Sequence, residues 1–273
     1  MVLWSLLTGL FLGLMQATKE TVVITFAAWA VALGIPLLLR RKQVPWRTLL
    51  LHAMLAALAA AAVSALFYSS MFTHARGPLD SVLTYFHFAD RAGGQGHEKP
   101  WHYYLSILVW HRAGGFRSSE LFILALAALG AMLSFFLRGA DPVKTRLGRF
   151  LAVSCLLLFS AYSVIPYKTP WLMMGFVQGA ILLAGVATTL LWDRWRHPAF
   201  RIALALVILA GSVDLARVAH TGSTRYGADD RNPYAYSHTS SDCLRLADRM
   251  DGVAALHPEG YGMTVKVMAE EFW

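Results

Sequence analysis

Seven apolar runs of 15 to 22 residues, separated by short polar junctions, dominate this chain. As helices they match a bilayer hydrocarbon core of about 30 Å. They cover Val2–Gln16, Thr21–Leu39, Thr48–Phe67, Leu121–Leu137, Phe150–Pro166, Trp171–Trp192 and Ala199–Leu215, the first and fourth being short. None shows the strict alternation of a membrane barrel strand. A soluble domain carries about 25% charged residues. This chain carries 15%, with 57% hydrophobic residues and a mean hydropathy of +0.50. Too few polar side chains exist to cover its surface, so much of its solvent is lipid.

The formal charge is +8, but Lys and Arg stand in small groups between apolar runs, which points to the bilayer as partner and away from nucleic acid. The groups are Arg40, Arg41, Lys42 and Arg47; Arg138, Lys144, Arg146 and Arg149; and Arg194, Arg196 and Arg201. They fall at alternate junctions, so a single topology places all three in the cytoplasm. The expectation is a multi-pass protein of the cell (inner or plasma) membrane, with a cytoplasmic amino terminus and an external carboxyl-terminal tail. Met1–Gln16 lacks the basic start of a secretory signal and reads as a span. Gly9 and Gly13 form a GxxxG pair suited to close helix approach. Cys155 lies in an apolar run and Cys243 in the polar tail, which gives neither a disulfide framework nor zinc spacing.

In that topology Ala17–Glu20, residues 69–120 and Tyr167–Pro170 all emerge externally. Residues 69–120 are too many for an ordinary connection. Asp80–Arg91 predicts a short helix broken by the glycines that follow. The stretch His97–Arg112, dense in Trp, Tyr and His, predicts a helix at the headgroup level. The polar tail predicts a helix capped by Ser240–Asp242 and running to Leu256, with strands at Tyr234–Tyr236 and Met263–Met268. The expected architecture is therefore an all-α transmembrane domain of about seven helices over residues 1–217, followed by a small, incomplete external α/β tail over 218–273.

Three blocks carry a family resemblance: TGLFLGLMQATKET from Thr8, HEKPWHYYL from His97 and IPYKTPWL from Ile165. In this order they resemble the GT-C glycosyltransferases related to protein O-mannosyltransferases and aminoarabinose transferases. They are most similar to the flippase-activity-associated proteins of archaeal N-glycosylation and their bacterial counterparts. NPYAYSHTSSDCLRLADRM from Asn232 is similar to the external domain of that subfamily. The resemblance implies transfer of a sugar from a polyprenyl-phosphate carrier to an acceptor, which it does not identify, on the external face. It also implies a first external loop with an acidic residue. No position here matches that loop, so no catalytic base carries over and the resemblance implies a chain truncated at both ends.

Such a reaction needs cations on the carrier phosphate. Lys168, between Pro166 and Pro170, is the leading candidate, with Tyr167 beside it; the structural alternative is a lysine snorkelling at a helix end. Lys19 and Glu20 lie in a tight turn, where the pair either neutralises itself, faces a wet cavity or simply marks an interfacial hairpin. His97 and Glu98 are candidates for contact with acceptor or phosphate, or belong to a solvated loop. Trp101, Tyr103 and Tyr104 are candidates for stacking on sugar or polyprenyl, or form an aromatic belt. Glu98 and Glu20 are the remaining candidates for a base. His74, His87, His97, His102 and His111 have no metal-ligand spacing, so the sequence supports no metal site or cofactor, while dependence on a divalent cation stays open. Two alternatives to an enzyme stay open: a flippase-associated accessory and a non-catalytic remnant. A conventional transporter would carry charges within its spans, and these are almost free of them.

Overall fold

The computed structural model describes residues 1–39, 42, 44–91, 98–235 and 242–266. Its elements run in the order α1 (Val2–Thr18), α2 (Val22–Leu39), α3 (Trp46–Tyr68), α4 (Gly77–Arg91), α5 (Tyr103–Val109), β1 (His111–Ala113), β2 (Phe116–Ser118), α6 (Leu121–Phe136), α7 (Pro142–Val164), α8 (Met174–Arg194), α9 (Pro198–Thr224) and α10 (Asp242–Leu256). Five helical segments among the described residues are long and apolar enough to cross a membrane, and the apolar helices α1 and α6 are shorter. The fold is that of an all-α membrane protein. Each of the seven expected runs is a helix. The last extends past Leu215 to Thr224 and carries Asp214 and Arg217.

Apolar side chains gain little from leaving lipid for each other, so membrane helices associate through small residues that let backbones approach. Ser5, Gly9 and Gly13 form such a stripe on α1. A Cβ on Gly9 would lie 2.3 Å from the Ala56 carbonyl oxygen of α3, and one on Gly13 would meet Ala60 and Val63. Polar contacts reinforce the pair: Ser5 Oγ lies 2.8 Å from His52 Nδ1, and Tyr68 donates to the Gln16 carbonyl at 2.7 Å. The second bundle, α6–α7–α8, is built the same way. A Cβ on Gly130 of α6 would lie 2.3 Å from the Leu183 carbonyl oxygen of α8. Helix α2 packs against α7, with the Trp29 and Phe150 rings 6.3 Å apart, and so ties the two groups together.

The described residues of the basic clusters sit at one end of this assembly. Arg149 donates to the Ser134 carbonyl near the end of α6, Arg201 donates to the Trp192 carbonyl near the end of α8, and Lys144 pairs with Asp193. The two arginines satisfy carbonyls that a helix terminus leaves free. The loops after α1, α3, α7 and α9 lie at the opposite end.

Two expectations are corrected there. The stretch expected to be one interfacial helix contains only the short α5, with Tyr104, Ile107 and Leu108 buried, and then an antiparallel hairpin. Gly114 and Gly115 have φ of +46° and +90°, and they turn β1 into β2. Two adjacent positive-φ residues suit the twist of a two-residue hairpin loop. The tail is the second correction, because its described residues contain α10 and a 3-10 turn at Gly260–Gly262 but no strand. Tyr234 donates its amide to Asn232 Oδ1, a local turn that withdraws it from pairing. Residues 263–266 have no neighbouring strand to pair with. The expected cap at Ser240–Ser241 and the end of the 263–268 strand lie outside the described residues.

Filling the α1–α3 contact tests this account. Gly9→Val should destabilise the protein by about 1–3 kcal/mol through overpacking. Gly34→Ala, where a Cβ meets nothing within 4 Å, should be neutral or slightly stabilising. Equal denaturation midpoints for the two variants in a detergent–urea titration would contradict it.

Candidate functional site

The candidate site grows from the break between α7 and α8. Pro166 and Pro170 prevent one continuous helix across Ile165–Thr169, and the carbonyls released there need donors in a low-dielectric setting. Three donors meet them. The Lys168 ammonium donates to the Ile165 carbonyl, the Lys99 amide donates to the Pro166 carbonyl at 3.2 Å, and the Tyr104 hydroxyl donates to the Thr169 carbonyl at 3.3 Å. Glu98 and Tyr167 form an isolated antiparallel bridge beside them. The HEKPWHYYL and IPYKTPWL blocks, about seventy residues apart in sequence, are thus joined backbone to backbone.

Lys168 is 2% exposed. Burial disfavours its charged form and lowers its pKa below the ordinary 10.5. It lines an open cleft of about 570 Å³ with Lys99, Trp101, Phe159, Ser160 and Ser163. The Ser163 hydroxyl is buried and has no hydrogen-bond partner. Two ammonium groups and an unsatisfied hydroxyl make a cleft suited to an anion with several acceptor oxygens. On the far side of Phe159 lies an apolar groove of about 480 Å³ between α5, α6, α7 and α8, walled by Leu105, Phe135, Leu156 and Phe176. One aromatic ring borders both spaces.

The remaining sequence candidates sort around this cleft. Trp101 is 64% exposed and lines it, with its ring edge-on to His102. Tyr104 is fully buried, edge-on to Phe176, and supports the loop from beneath. Tyr103 is half-buried against Tyr104, their centroids 5.2 Å apart. Tyr167 is half-buried, and Glu98 is exposed. His97 lies outside the described residues. No Lys19–Glu20 ion pair within 4.0 Å occurs among the described residues, although the two charges act on each other. The Lys19 ammonium stands 5.4 Å above the centre of the Trp171 ring and lines a separate cavity of about 230 Å³. Burial lowers its pKa, an effect opposed by the nearby Glu20 carboxylate. All three blocks therefore meet at one end of the helices, with the Lys19 contact to Trp171 linking the first to the third.

Sequence reading passed over Lys99, Ser163 and Phe159 as site residues. Their signal is the spacing Phe159, Ser160 and Ser163 in the last turns of a helix otherwise apolar towards that end. It also passed over Glu120, a half-buried carboxylate immediately before α6 that accepts from the Tyr234 hydroxyl at 2.7 Å.

Ser163→Ala separates the demands of stability and binding. Removing an unpartnered buried hydroxyl should leave the melting temperature of the empty protein unchanged or raised, whereas affinity for a phosphate-headed lipid should fall severalfold. A variant that melts lower and binds normally would exclude Ser163 from the site. Comparison with protein families, with curated proteins and with solved structures finds no match to this chain.

Proposed function

We propose that this chain is a carrier-binding membrane module of GT-C type glycosyl transfer, holding the phosphate of a polyprenyl-phosphate-linked sugar in the Lys168 cleft for an acceptor on the external face. The observation that carries this reading is the buried Lys168 beside Lys99 and an unpartnered Ser163 hydroxyl, separated by one ring from an apolar groove. An amphipathic ligand fits both parts, its phosphate at the cations and its hydrocarbon along α6 and α7. Lys168 has donors beyond the one engaged by Ile165, so it can hold its loop and a phosphate oxygen together. A cation there also stabilises the charge that develops on phosphate as a glycosidic bond breaks.

The accessory reading is favoured by a different observation: among the described residues, no carboxylate lines this cleft. Binding without sugar transfer is accordingly expected of the purified chain. Turnover of a polyprenyl-phosphate sugar would instead make it a complete transferase, with Glu98 and Glu20 as the first bases to test.

Lys168→Ala should weaken polyprenyl-phosphate binding in nanodiscs far more than Lys144→Ala at the opposite end. A charge-assisted hydrogen bond contributes about 1.5–3 kcal/mol, roughly ten- to more than a hundredfold in affinity. Because the charged amine is the binding form, affinity should be greatest below the lowered pKa of Lys168 and decline as pH rises through it. Lys168→Arg should flatten that decline. Unchanged affinity in a folded Lys168→Ala protein would leave Lys168 a structural role only.

The orientation follows from the basic clusters. With Cys243 replaced by serine, a cysteine at Arg112 should label with an impermeant thiol reagent in intact cells, and cysteines at Lys144 or Arg196 should not. Labelling at Lys144 without lysis would reverse the topology.

A further inference from the structure

A second cavity, of about 470 Å³, lies at the same end of the molecule between the start of α6, the last turns of α9 and the residues just after it. Ser223, Asn232 and Tyr234 contribute polar groups to its lining, and Glu120 contributes a carboxylate. The backbone of this residue is fixed by donation of its amide to the Leu108 carbonyl at 2.8 Å. One carboxylate oxygen accepts from the Tyr234 hydroxyl, and no Lys, Arg or His among the described residues forms an ion pair with either oxygen. Nearby guanidinium groups are engaged elsewhere. Arg117 is held by Asp214 at 2.9 Å, and Arg231 is clamped by Asp229, donates to the Gly114 carbonyl and stacks on Tyr226. Burial pushes the Glu120 carboxyl above the usual carboxylate range, with the Tyr234 hydrogen bond opposing the shift.

We propose that Glu120 and Tyr234 form a binding site for a primary ammonium group carried on an apolar body. A half-buried carboxylate with neutral hydrogen-bond donors and no cation partner among the described residues keeps an uncompensated charge, which a hydroxyl or amide ligand would leave in place and an ammonium would neutralise. The walls fit the rest of such a ligand. Leu215, Val218 and Ala219 of α9 supply an apolar side, and the Phe116 ring supplies an aromatic one that tolerates a cation. No residue lines both this cavity and the Lys168 cleft. The two sites are therefore built from separate side chains, cationic in the cleft and carboxylate here.

The ammonium can come from an aminolipid headgroup or from a small soluble amine, and two arms of one experiment separate these sources. In native mass spectrometry, the purified chain should retain phosphatidylethanolamine about tenfold over phosphatidylglycerol, the gain typical of one charge-assisted contact. In saturation-transfer NMR, ethanolamine should bind saturably where ethylene glycol does not if the natural ligand is soluble. Glu120→Gln keeps an acceptor for the Tyr234 hydroxyl and removes the charge, so it should abolish the preference in whichever arm shows it. Glu120→Asp should retain part of that preference, and serves as the readout if the glutamine variant melts early. Lys168→Ala should leave the amine preference intact while losing phosphate binding, so failure of one site is distinguishable from failure of the other. No preference in either arm, or a preference that survives Glu120→Gln in a folded protein, would overturn the proposal.

Discussion

The interrupted backbone between α7 and α8 is the constraint on which the candidate site depends. A carbonyl freed there and buried away from water must be paired, because left alone it costs about 1–3 kcal/mol. Ile165, Pro166 and Thr169 find donors in Lys168, Lys99 and Tyr104. Two of these three donors belong to the 98–104 segment, which is thereby drawn across the ends of the helices. The cleft is a consequence of that closure: its floor is the last turn of α7, and its rim is the segment that satisfies the break.

The same closure explains why Lys168 is both structural and available. Burial weakens the hold of the lysine on its proton, and the hydrogen bond to Ile165 keeps it in place. The ammonium keeps further donors besides the one that Ile165 accepts. Tyr104 is the hinge of the arrangement. Its ring fills the core against Phe176 and its hydroxyl reaches the loop, so packing and site geometry are carried by one side chain.

Helix α9 is held differently from the others. The α1–α3 and α6–α8 pairs approach through glycine and alanine along their length, whereas α9 is largely exposed, touches α6 where Gly211 faces the Phe122 ring, and is otherwise held by polar contacts. Arg201 ties one end to Trp192. At the other, Arg117 of the hairpin holds Asp214, and the buried Asn232 side chain bonds the Gly222 and Tyr226 carbonyls. The Glu120 cavity lies against the last turns of this helix. The hairpin and the 226–235 stretch close the cavity from outside, held by the Arg231 contacts to Asp229 and Gly114.

Length and apolarity alone determine the helices here, because a segment in lipid must satisfy its own backbone and a helix is the local way to do so. The runs, the GxxxG pair and the proline-framed Ile165–Thr169 break were all legible in one dimension. Contacts that depend on residues far apart were not. The Gly114–Gly115 turn was written in the sequence, but dense aromatics around it read as an interfacial helix. Among the described residues of the tail, the alternation of apolar residues produced no strand. Lys99 and Ser163 became site residues only when the 98–104 segment folded over α7. Glu120 gained its neutral partner from Tyr234, 114 positions along the chain. Composition and periodicity decide which segments leave water, since those are sums over neighbouring residues. Only tertiary structure decides which polar groups must answer one another, since that depends on which helix ends are brought to the same place.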